Sequence, residues 1–475
     1  MHSVADSLAR LREIASSGPV ARLATAFTDA GFELALVGGP VRDALLGRAV
    51  SDLDFTTNAT PDEILRVVAP LADAHWDIGR AFGTIGARIG DDTVEITTYR
   101  SDSYDASSRK PEVIFGDTLE GDLVRRDFTV NALALRVPDV VLVDPSGGVD
   151  DLLVGALRTP ISPEVSFGDD PLRMLRAARF AAQLGFQVSD ETIEAMSGMR
   201  ERIEIISAER VRDEVSKLLR SDTPRPGIEL LVETGLADIV LPEIPALRLE
   251  MDEHHHHKDV YQHSLTVLDQ AIGYEHERHP GEAPDLVLRL AAILHDIGKP
   301  ATRRLEPGGA VSFYHHDMVG AKLARKRLRA LRFDNDTIAA VSRLIELHLR
   351  FFGYTEGAWT DSAVRRYVRD AGDQLERLHM LTRADVTTRN RRKADRLGFA
   401  YDDLEQRIAV LAEEEELNAV RPDLDGEAVM RILNLKPGPE VGRAMKFLLE
   451  LRLDNGPLGA DEAERRLRQW AAGDQ

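Results

Sequence analysis

Two carboxylates follow a double glycine in the first sixty residues of the chain. The apolar residues 35–37 predict a short buried strand, and Gly38 and Gly39 let the backbone turn so that its N–H groups approach a triphosphate without an intervening Cβ. Asp52 and Asp54 alternate along a predicted strand, so both project from one face. Two such carboxylates repel each other, and a shared divalent cation is the usual remedy. The pattern favours metal-dependent nucleotidyl transfer over a turn with exposed acids.

A third carboxylate and a basic residue complete the predicted site. Glu95 alternates with Val94 and Ile96 in a strand-like run, so we expect it to face the cleft while its neighbours face the core. Pro40 fits the first turn of a helix whose positive dipole end faces the same anion. Two Mg²⁺ ions held by these carboxylates would activate an attacking 3′-hydroxyl and neutralise the departing pyrophosphate. The predicted catalytic residues are Asp52, Asp54 and Glu95, and those receiving the triphosphate are Gly38, Gly39 and Arg42.

These residues resemble the head domain of polymerase-β-type nucleotidyltransferases, and more narrowly the class II CCA-adding enzymes and bacterial poly(A) polymerases. The run RRDFTVNAL, which begins at Arg125, carries the narrower resemblance. It implies that Arg126 and Asp127 contact the nucleotide and that Asn131 gives local support. The resemblance covers nearly the whole chain and is weaker after about residue 400.

The segment FGDDPLRMLRAARFAAQLGF, which begins at Phe167, is predicted to form one amphipathic helix. Its polar face carries a row at three-residue spacing, Asp170, Arg173, Arg176 and Arg179, which is typical of a solvated surface. The same residues resemble the family's template motif, in which an acid and an arginine hydrogen-bond the Watson–Crick edge of the incoming base. The resemblance therefore implies base selection by Asp170 and Arg173 and phosphate contact by Arg176, so that cytosine and adenine are accepted.

Residues 100–121 read as a polar loop that includes Arg109 and Lys110. In CCA-adding enzymes a flexible loop in this region is needed for the switch from C addition to A addition, so its presence favours addition of the full CCA sequence to tRNA from CTP and ATP. Poly(A) polymerase and an enzyme that adds only A remain alternatives.

A second set of metal-ligating residues begins at the end of an apolar helix, where LRLAAILHDIGKP contains the pair His295 and Asp296. Imidazoles and carboxylates that converge from several helices form transition-metal or Mg²⁺ sites. Order and residue types resemble the HD phosphohydrolase superfamily. That resemblance implies a first metal site of His263, His295, Asp296 and Asp385, extended to a second ion by His316 and His348.

The sequence does not decide whether this second site binds Mg, Mn, Ni or Fe. It also does not decide whether the site is catalytically active. An alternative function is a phosphohydrolase acting on nucleotides or 2′,3′-cyclic phosphates, with the head reduced to RNA binding. The internal run His254–His257 reads as a polar loop that enters the first helix of this region.

The charge balance argues against a nucleic-acid partner, because 80 acidic and 60 basic residues give a formal net charge of −20. Phosphate contact needs only a local positive face, however. One such face comprises Lys322, Arg325, Lys326, Arg327 and Arg329, and a second comprises Arg389, Arg391, Arg392, Lys393 and Arg396.

Composition and patterning predict an α+β chain with a mixed-sheet head followed by an all-α neck, HD body and tail. A chain of 475 residues is too long to fold around a single hydrophobic core. We divide it into a head at 1–150, a neck at 151–225, a body at 226–400 and a tail at 401–475 with possible tRNA contact. The lack of cysteine excludes disulfides and thiolate metal sites and favours a reducing cytoplasm. No signal peptide or membrane-spanning run is expected, and the oligomeric state is left open.

Overall fold

The computed structural model describes residues 4–50, 52–100, 116, 118–249, 260–307, 311–356, 359–388, 390–415 and 421–473. The chain divides into two compact units, residues 1–240 and 241–475. The finer division into head, neck, body and tail stays a prediction. Among the described residues, no helix combines the length and apolar character that a membrane crossing requires.

The first unit contains a seven-stranded sheet. Its strands are β1 (Leu34–Val37), β2 (Leu53–Thr57), β3 (Ala74–Trp76), β4 (Thr84–Ile89), β5 (Asp92–Thr98), β6 (Ala134–Val137) and β7 (Val141–Val143), in the order β3-β4-β5-β2-β1-β6-β7. The pairing of β2 with β5 is parallel, and the other described pairings in this sheet are antiparallel. Two short strands, β8 (Ala156–Leu157) and β9 (Gln187–Val188), pair separately. The predicted mixed sheet is confirmed.

Twelve helices accompany these strands in the described part of the first unit. They are α1 (Val4–Ala15), α2 (Gly18–Asp29), α3 (Gly39–Leu46), α4 (Pro61–Val68), α5 (Leu119–Val124), α6 (Gly148–Val154), α7 (Pro163–Asp169), α8 (Leu172–Leu184), α9 (Asp190–Met199), α10 (Ala208–Leu219), α11 (Arg225–Glu233) and α12 (Ala237–Val240). Three short 3₁₀ segments lie at Arg80–Phe82, Thr129–Asn131 and Arg200–Ile205.

The prediction of one continuous helix from Phe167 is wrong. Helix α7 ends at Asp169 and α8 begins at Leu172, while Asp170 between them is extended, with φ of −141°. Pro171 causes the break, because it cannot donate to the helix ladder and disfavours the helical conformation of the residue before it. Asp170 therefore lies at the head of the arginine-bearing helix rather than within its row.

The second unit is helical apart from a small hairpin. Its described helices are α13 (Val260–Arg278), α14 (Leu286–Leu294), α15 (Lys299–Thr302), α16 (His316–Ala330), α17 (Asn335–Leu347), α18 (Phe352–Glu356), α19 (Asp361–Ala371), α20 (Leu375–Ala384), α21 (Arg391–Glu415), α22 (Gly426–Leu433), α23 (Pro439–Asn455) and α24 (Ala460–Gly473). Strands β10 (Arg304–Leu305) and β11 (Val311–Ser312) form the hairpin, and 3₁₀ segments lie at Pro245–Leu249 and Gly372–Gln374. The α+β class with helical later regions is confirmed.

The last three helices share a small apolar core of their own. Its buried members are Leu424, Val429, Ala444, Leu448, Ala463 and Leu467. Helix α23 begins at Pro439, directly after Pro437 and Gly438.

Candidate functional site

The double glycine lies between β1 and α3. Gly38 has φ of +72°, a conformation that favours glycine, and a Cβ there would lie 3.3 Å from Arg126 Nη1. Its N–H donates to the carbonyl of Leu133 at 3.0 Å. Helix α3 begins at Gly39, so its first backbone N–H groups lack partners within the helix. The turn and the helix start together provide a place for an anion.

Asp54 and Glu95 lie side by side on the paired strands β2 and β5, where their Cα atoms are register partners. Val94 and Ile96 are fully buried whereas Glu95 is exposed, so the predicted alternation is confirmed. Asp52 lies one residue before β2 and is also exposed. We call Asp52, Asp54 and Glu95 the carboxylate cluster.

The carboxylate cluster is electrostatically unfavourable by itself. Burial and the negative charge of Glu95, with a smaller contribution from Asp52, raise the pKa of Asp54 to about 6, although Arg126 opposes the shift. Like charges held together in a partly desolvated place are relieved by a divalent cation, and an all-oxygen donor set suits Mg²⁺. The residues present therefore fit the predicted ion.

A buried carboxylate that the sequence analysis did not single out holds the arginine pair that follows α5. Asp122 is fully buried and accepts hydrogen bonds from Arg125 Nη2 at 2.7 Å and Arg126 Nη2 at 3.2 Å. It also accepts the backbone N–H of Arg100 at 3.2 Å and the hydroxyl of Thr56 on β2 at 3.4 Å. Burial alone would raise the pKa of Asp122, but the two guanidinium groups hold it below its usual value. Asp122 thus connects the arginine pair to the strand that carries Asp54.

Replacing Asp122 by asparagine is expected to lower the free energy of unfolding by about 3 kcal/mol, because a buried ion pair loses its negative partner. Transfer by the folded fraction should slow by about tenfold or more, since Arg126 loses its anchor. Thermal unfolding and single-turnover rates measure the two effects. Glu120→Gln is the matched control, because that acid lies on the same helix and makes only a solvent-exposed ion pair with Arg136. Equal behaviour of the two variants would contradict the positioning role.

Arg42, predicted to receive the triphosphate, already has protein partners. Its guanidinium donates to both carboxylate oxygens of Asp43 at 2.9 Å and to Asn131 Oδ1 at 2.7 Å. The Asn131 amide in turn donates to Asp127 Oδ1 at 3.0 Å. Arg42 therefore fastens α3 to the segment that follows the arginine pair, and the predicted support by Asn131 has this physical form. Triphosphate contact by Arg42 stays a prediction.

The arginine row of α8 forms an internal ladder of charges rather than a solvated face. Arg173 and Arg179 are each 8% exposed. Arg176 donates to Asp127 Oδ2 at 2.7 Å, and Arg179 donates to Glu214 Oε2 at 2.6 Å. Burial would raise the pKa of Asp127, but the ion pair with Arg176 outweighs it and lowers that pKa to about 2. The ladder joins α8 to α10 and to the nucleotide-contact segment that the resemblance implied.

The predicted base-reading pair lies at the junction of α7 and α8. Asp170 Oδ2 accepts from Arg210 Nη2 at 2.8 Å. Arg173 donates to Ser166 Oγ at 2.9 Å and to the carbonyl of Arg125 at 2.7 Å. Groups from α7, α10 and the arginine pair hold both side chains in place. This arrangement leaves base recognition by Asp170 and Arg173 as a prediction with a defined geometry.

In the second unit, six predicted ligands converge from the ends of five helices. We call His263, His295, Asp296, His316, His348 and Asp385 the histidine–aspartate cluster. They form two groups, His263–His295–Asp385 and Asp296–His316–His348, and within each group the ligand atoms lie within 4.8 Å of one another.

Asp296 contacts both groups of the histidine–aspartate cluster. Its Oδ2 lies 3.3 Å from His295 Nε2, and its Oδ1 lies 3.3 Å from His316 Nε2. The resemblance implied that Asp296 belongs with the first ion. In the structure Asp296 is placed between the two groups, where a carboxylate can serve either ion.

Hydrogen bonds orient the imidazoles toward a common centre. Nδ1 of His295, His316 and His348 donates to the backbone carbonyl three residues earlier, at 2.8, 2.8 and 2.6 Å respectively. This fixes Nδ1 as the donor and turns Nε2 inward, as in metal-ligating histidines. Among the described residues, the buried Nε2 atoms of His295 and His348 have no hydrogen-bond partner. A metal ion would satisfy both, and the mixed nitrogen and oxygen donors suit a transition metal or Mg²⁺.

The charges of the cluster also fit a cation. Burial opposes protonation of His295, but Asp296 and Asp385 outweigh it and raise the pKa of His295 to about 10. Burial and the neighbouring His295 lower the pKa of His348 to about 4. Without a metal, the two carboxylates therefore attract a proton to the place where the ion would bind.

Gly298 explains how the two groups of ligands meet. A Cβ at Gly298 would lie 2.0 Å from the carbonyl oxygen of His316, so the turn after Asp296 packs directly on the start of α16. Lys299, the next residue, places Nζ 2.9 Å from Asp296 Oδ2. The HDIGK run therefore serves close packing as well as ligation.

Three sets of predicted residues lie outside the described part of the chain. They are Arg109 and Lys110 of the 100–121 loop, the run His254–His257, and Arg389 of the second basic face.

Three protein-family models match the chain. The poly A polymerase head domain matches residues 34–158, the probable RNA and SrmB-binding site of polymerase A matches residues 185–247, and the HD domain matches residues 260–390.

Curated relatives match over different lengths. An A-adding tRNA nucleotidyltransferase of Deinococcus radiodurans is 35% identical over 445 residues, which cover 92% of this chain and 95% of the relative. A CC-adding tRNA nucleotidyltransferase of Thermus thermophilus is 32% identical over 444 residues, with 92% and 93% covered. A CCA-adding enzyme of Bacillus subtilis is 40% identical over 219 residues, which cover 46% of this chain and 53% of the relative.

Proposed function

This chain belongs to the tRNA nucleotidyltransferase family, and from that membership we propose that it builds or repairs the 3′-terminal CCA of tRNA from CTP and ATP, without a nucleic-acid template, in the cytoplasm. The observation that carries the proposal is the register of β2 and β5, which sets Asp54 beside Glu95 with Asp52 one residue before the strand. Carboxylates that can hold divalent cations, in the same unit as a glycine turn that can receive phosphates, are what nucleotidyl transfer requires.

In the proposed mechanism the 3′-hydroxyl of tRNA attacks the α-phosphate in line, and pyrophosphate leaves. Asp52, Asp54 and Glu95 would hold Mg²⁺, which when bound supplies activation of the hydroxyl and neutralisation of the leaving group. The turn at Gly38 and Gly39 receives the triphosphate, because no Cβ obstructs it.

Two pairs of residues prepare this site for the nucleotide. Asp122 keeps Arg126 directed toward the cleft, where its charge meets the phosphates. Asp170 and Arg173 offer acceptors and a planar set of donors to the edge of the incoming base. Base choice and phosphate contact thus come from different elements of the same unit.

Replacing Asp170 by alanine is expected to relax base selection. A two-point hydrogen-bond match to a base edge discriminates by about 1–3 kcal/mol, so misincorporation of UMP or GMP should rise by roughly 10- to 100-fold. Competition among all four labelled nucleoside triphosphates on a tRNA lacking its CCA end measures the change. Glu164→Ala, which removes an exposed acid of α7, is the control. A variant that rejects UTP and GTP as well as the parent does would contradict base reading by Asp170.

A second candidate is an enzyme that adds only the terminal A. The 35% identity to an A-adding relative over 92% of the chain favours it, whereas the 40% identity to a CCA-adding enzyme over 219 residues favours the leading proposal. A tRNA that already ends in CC hardly distinguishes a CCA-adding from an A-adding enzyme, because both extend it with ATP. A tRNA without any of the three nucleotides is decisive, because an A-adding enzyme leaves CTP unused.

Nucleotidyltransferase head domains and HD domains generally bind divalent metals. We propose Mg²⁺ for the carboxylate cluster and one or two ions from the set Mg, Mn, Ni and Fe for the histidine–aspartate cluster. The two inward-facing imidazole nitrogens, which make no hydrogen bond to any described residue, support the second assignment. Atomic emission analysis of the purified chain would identify the ion, and a chain purified without added chelator that holds no divalent metal would contradict it.

A further inference from the structure

The two basic faces that the sequence singled out differ in the structure. On α16, Arg327 pairs with Glu243 at 2.9 Å and Arg325 lies 3.7 Å from Glu346, so acids partly neutralise that face. At the start of α21, four exposed cations have no carboxylate partner within the described part of the chain. We call Arg391, Arg392, Lys393 and Arg396 the α21 basic cluster.

The position of the α21 basic cluster is not explained by helix stability. Cations in the first turn of a helix oppose its dipole, and acids are favoured there instead. Several helices of this chain follow that rule, among them α9 with Asp190 and Glu191 and α24 with Asp461 and Glu462 in the first turn, whereas α8 and α11 lack such acids. Helix α21 has no acid in its first turn. In a chain with a formal net charge of −20, an uncompensated group of cations at this place indicates an anionic partner.

The cluster borders a surface pocket of about 380 Å³, which is lined by Asn390, Arg392, Lys393 and Arg396. Asn390 is tied to the helix, because its Oδ1 accepts the backbone N–H of Lys393 at 3.2 Å. Arginine forks and a lysine ammonium are the groups that bind phosphate oxygens. Arg392 and Arg396 are four residues apart and so share one side of the helix. Charges spread in this way over more than a helical turn suit successive phosphates of a chain better than a single phosphate.

The cluster also lies close in sequence to the histidine–aspartate cluster. Asp385 ends α20, and the hydroxyl of Thr387 lies 3.0 Å from His263 Nδ1. Arg391 is the sixth residue after Asp385, so the chain spans at most about 20 Å between them. An RNA strand bound by the cations therefore passes within a few nucleotides of the metal ligands.

We propose that the α21 basic cluster binds the phosphodiester backbone of RNA beside the histidine–aspartate cluster. The identity of the RNA as tRNA rests on the proposed function, but the binding of a phosphodiester strand rests on the charges and their position. The surface belongs to the second unit, and none of its residues is among those assigned to nucleotidyl transfer.

The test compares two charge reversals of equal size in the full chain. Arg392→Glu/Lys393→Glu reverses the cluster, and Lys322→Glu/Lys326→Glu reverses two exposed cations on α16 that likewise make no ion pair within the described residues. The measured quantities are the Kd for a fluorescent tRNA lacking its CCA end, its dependence on salt between 50 and 200 mM, the thermal midpoint, and nucleotide addition at saturating tRNA.

The cluster variant is expected to bind tRNA on the order of tenfold more weakly, and the slope of log K against log salt should fall by about 2 because two phosphate contacts are lost. Its thermal midpoint should stay the same or rise, since acids suit the start of a helix. The α16 variant should bind within about twofold of the parent. Addition at saturating tRNA should be unchanged in both variants.

Three outcomes would overturn the inference. The first is unchanged tRNA affinity in the cluster variant, and the second is an equal loss of tRNA affinity in both variants. The third is unchanged tRNA affinity combined with lost binding of labelled ATP, which would mean that the cluster binds a small anion. A parent chain that binds tRNA through the cluster but adds no nucleotide would refute the proposed function alone. Active addition with a cluster variant of normal affinity would refute the inference alone.

Discussion

Asp54→Asn will reduce nucleotide addition by roughly 10³-fold or more while the chain remains folded. The variant loses a ligand that holds the cations on which transfer depends, and such cations contribute several kcal/mol to stabilising the transition state. Single-turnover addition of CMP to tRNA measures the loss. Asp92→Asn is the matched control, because Asp92 is an exposed acid at the start of the same strand, β5, that carries Glu95. Addition within tenfold of the parent rate would contradict the assignment.

The same substitution should stabilise the metal-free chain. The pKa of Asp54 is about 6 in the folded chain and near 4 when unfolded, so ionising this group costs more in the folded state. The penalty is absent below about pH 4, grows between pH 4 and 6, and reaches about 3 kcal/mol above that range. In EDTA, the variant's advantage over the parent should therefore increase as the pH rises from 4 to 8. Mg²⁺ should then stabilise the parent more than the variant.

His295→Gln will remove metal from the second unit and leave nucleotide addition within about threefold of the parent. The imidazole lies in one group of three ligands and 3.3 Å from Asp296 of the other, so its loss should weaken metal affinity by about 100-fold or more. Metal content after dialysis and single-turnover addition are the two measurements.

His379→Gln provides the control for loss of a buried imidazole. His379 lies on α20 in the same unit and belongs to neither ligand group, and its Nδ1 lies 3.5 Å from Glu405. The control should retain metal even if it unfolds more easily. Metal content that is equal in the two variants would contradict the assignment of the histidine–aspartate cluster, and equal loss of addition would contradict the independence of the two sites.

The local sequence pattern was sufficient to predict most features of the carboxylate cluster. The alternation of Val94, Glu95 and Ile96 gives the exposed acid directly, and the double glycine marks the turn before α3. Pattern could not supply the parallel pairing that sets Glu95 beside Asp54, because strand register depends on contacts distant in sequence. Thus the residues were predictable and their adjacency was not.

Asp122 and the α8 row show what local pattern misses. The spacing of Asp122 from Arg125 and Arg126, three and four residues, was a usable signal for a charge pair on one side of a turn. The solvated face expected of Arg176 and Arg179 is internal because Asp127 and Glu214 come from other segments. The break before α8 was also readable, since proline disfavours a helical residue before it.

The histidine–aspartate cluster was predictable in membership but not in grouping. Each ligand lies at or near the end of a helix, and the sequence predicts helix-like segments at these positions. The position of Asp296 between the two groups depends on Gly298, whose close approach to His316 only the packed structure reveals. The basic face of α16 is a similar case, because its partial neutralisation by Glu243 and Glu346 requires tertiary contacts.

The measurement that tests the central claim most directly is the size of products on a tRNA without its CCA end, resolved to single nucleotides. The purified chain receives Mg²⁺ with labelled CTP alone, ATP alone, or both. We predict growth by two nucleotides with CTP and by three with both. A long ladder with ATP alone would mean a poly(A) polymerase, and no growth with CTP would mean an A-adding enzyme, so either result would contradict addition of the full CCA sequence.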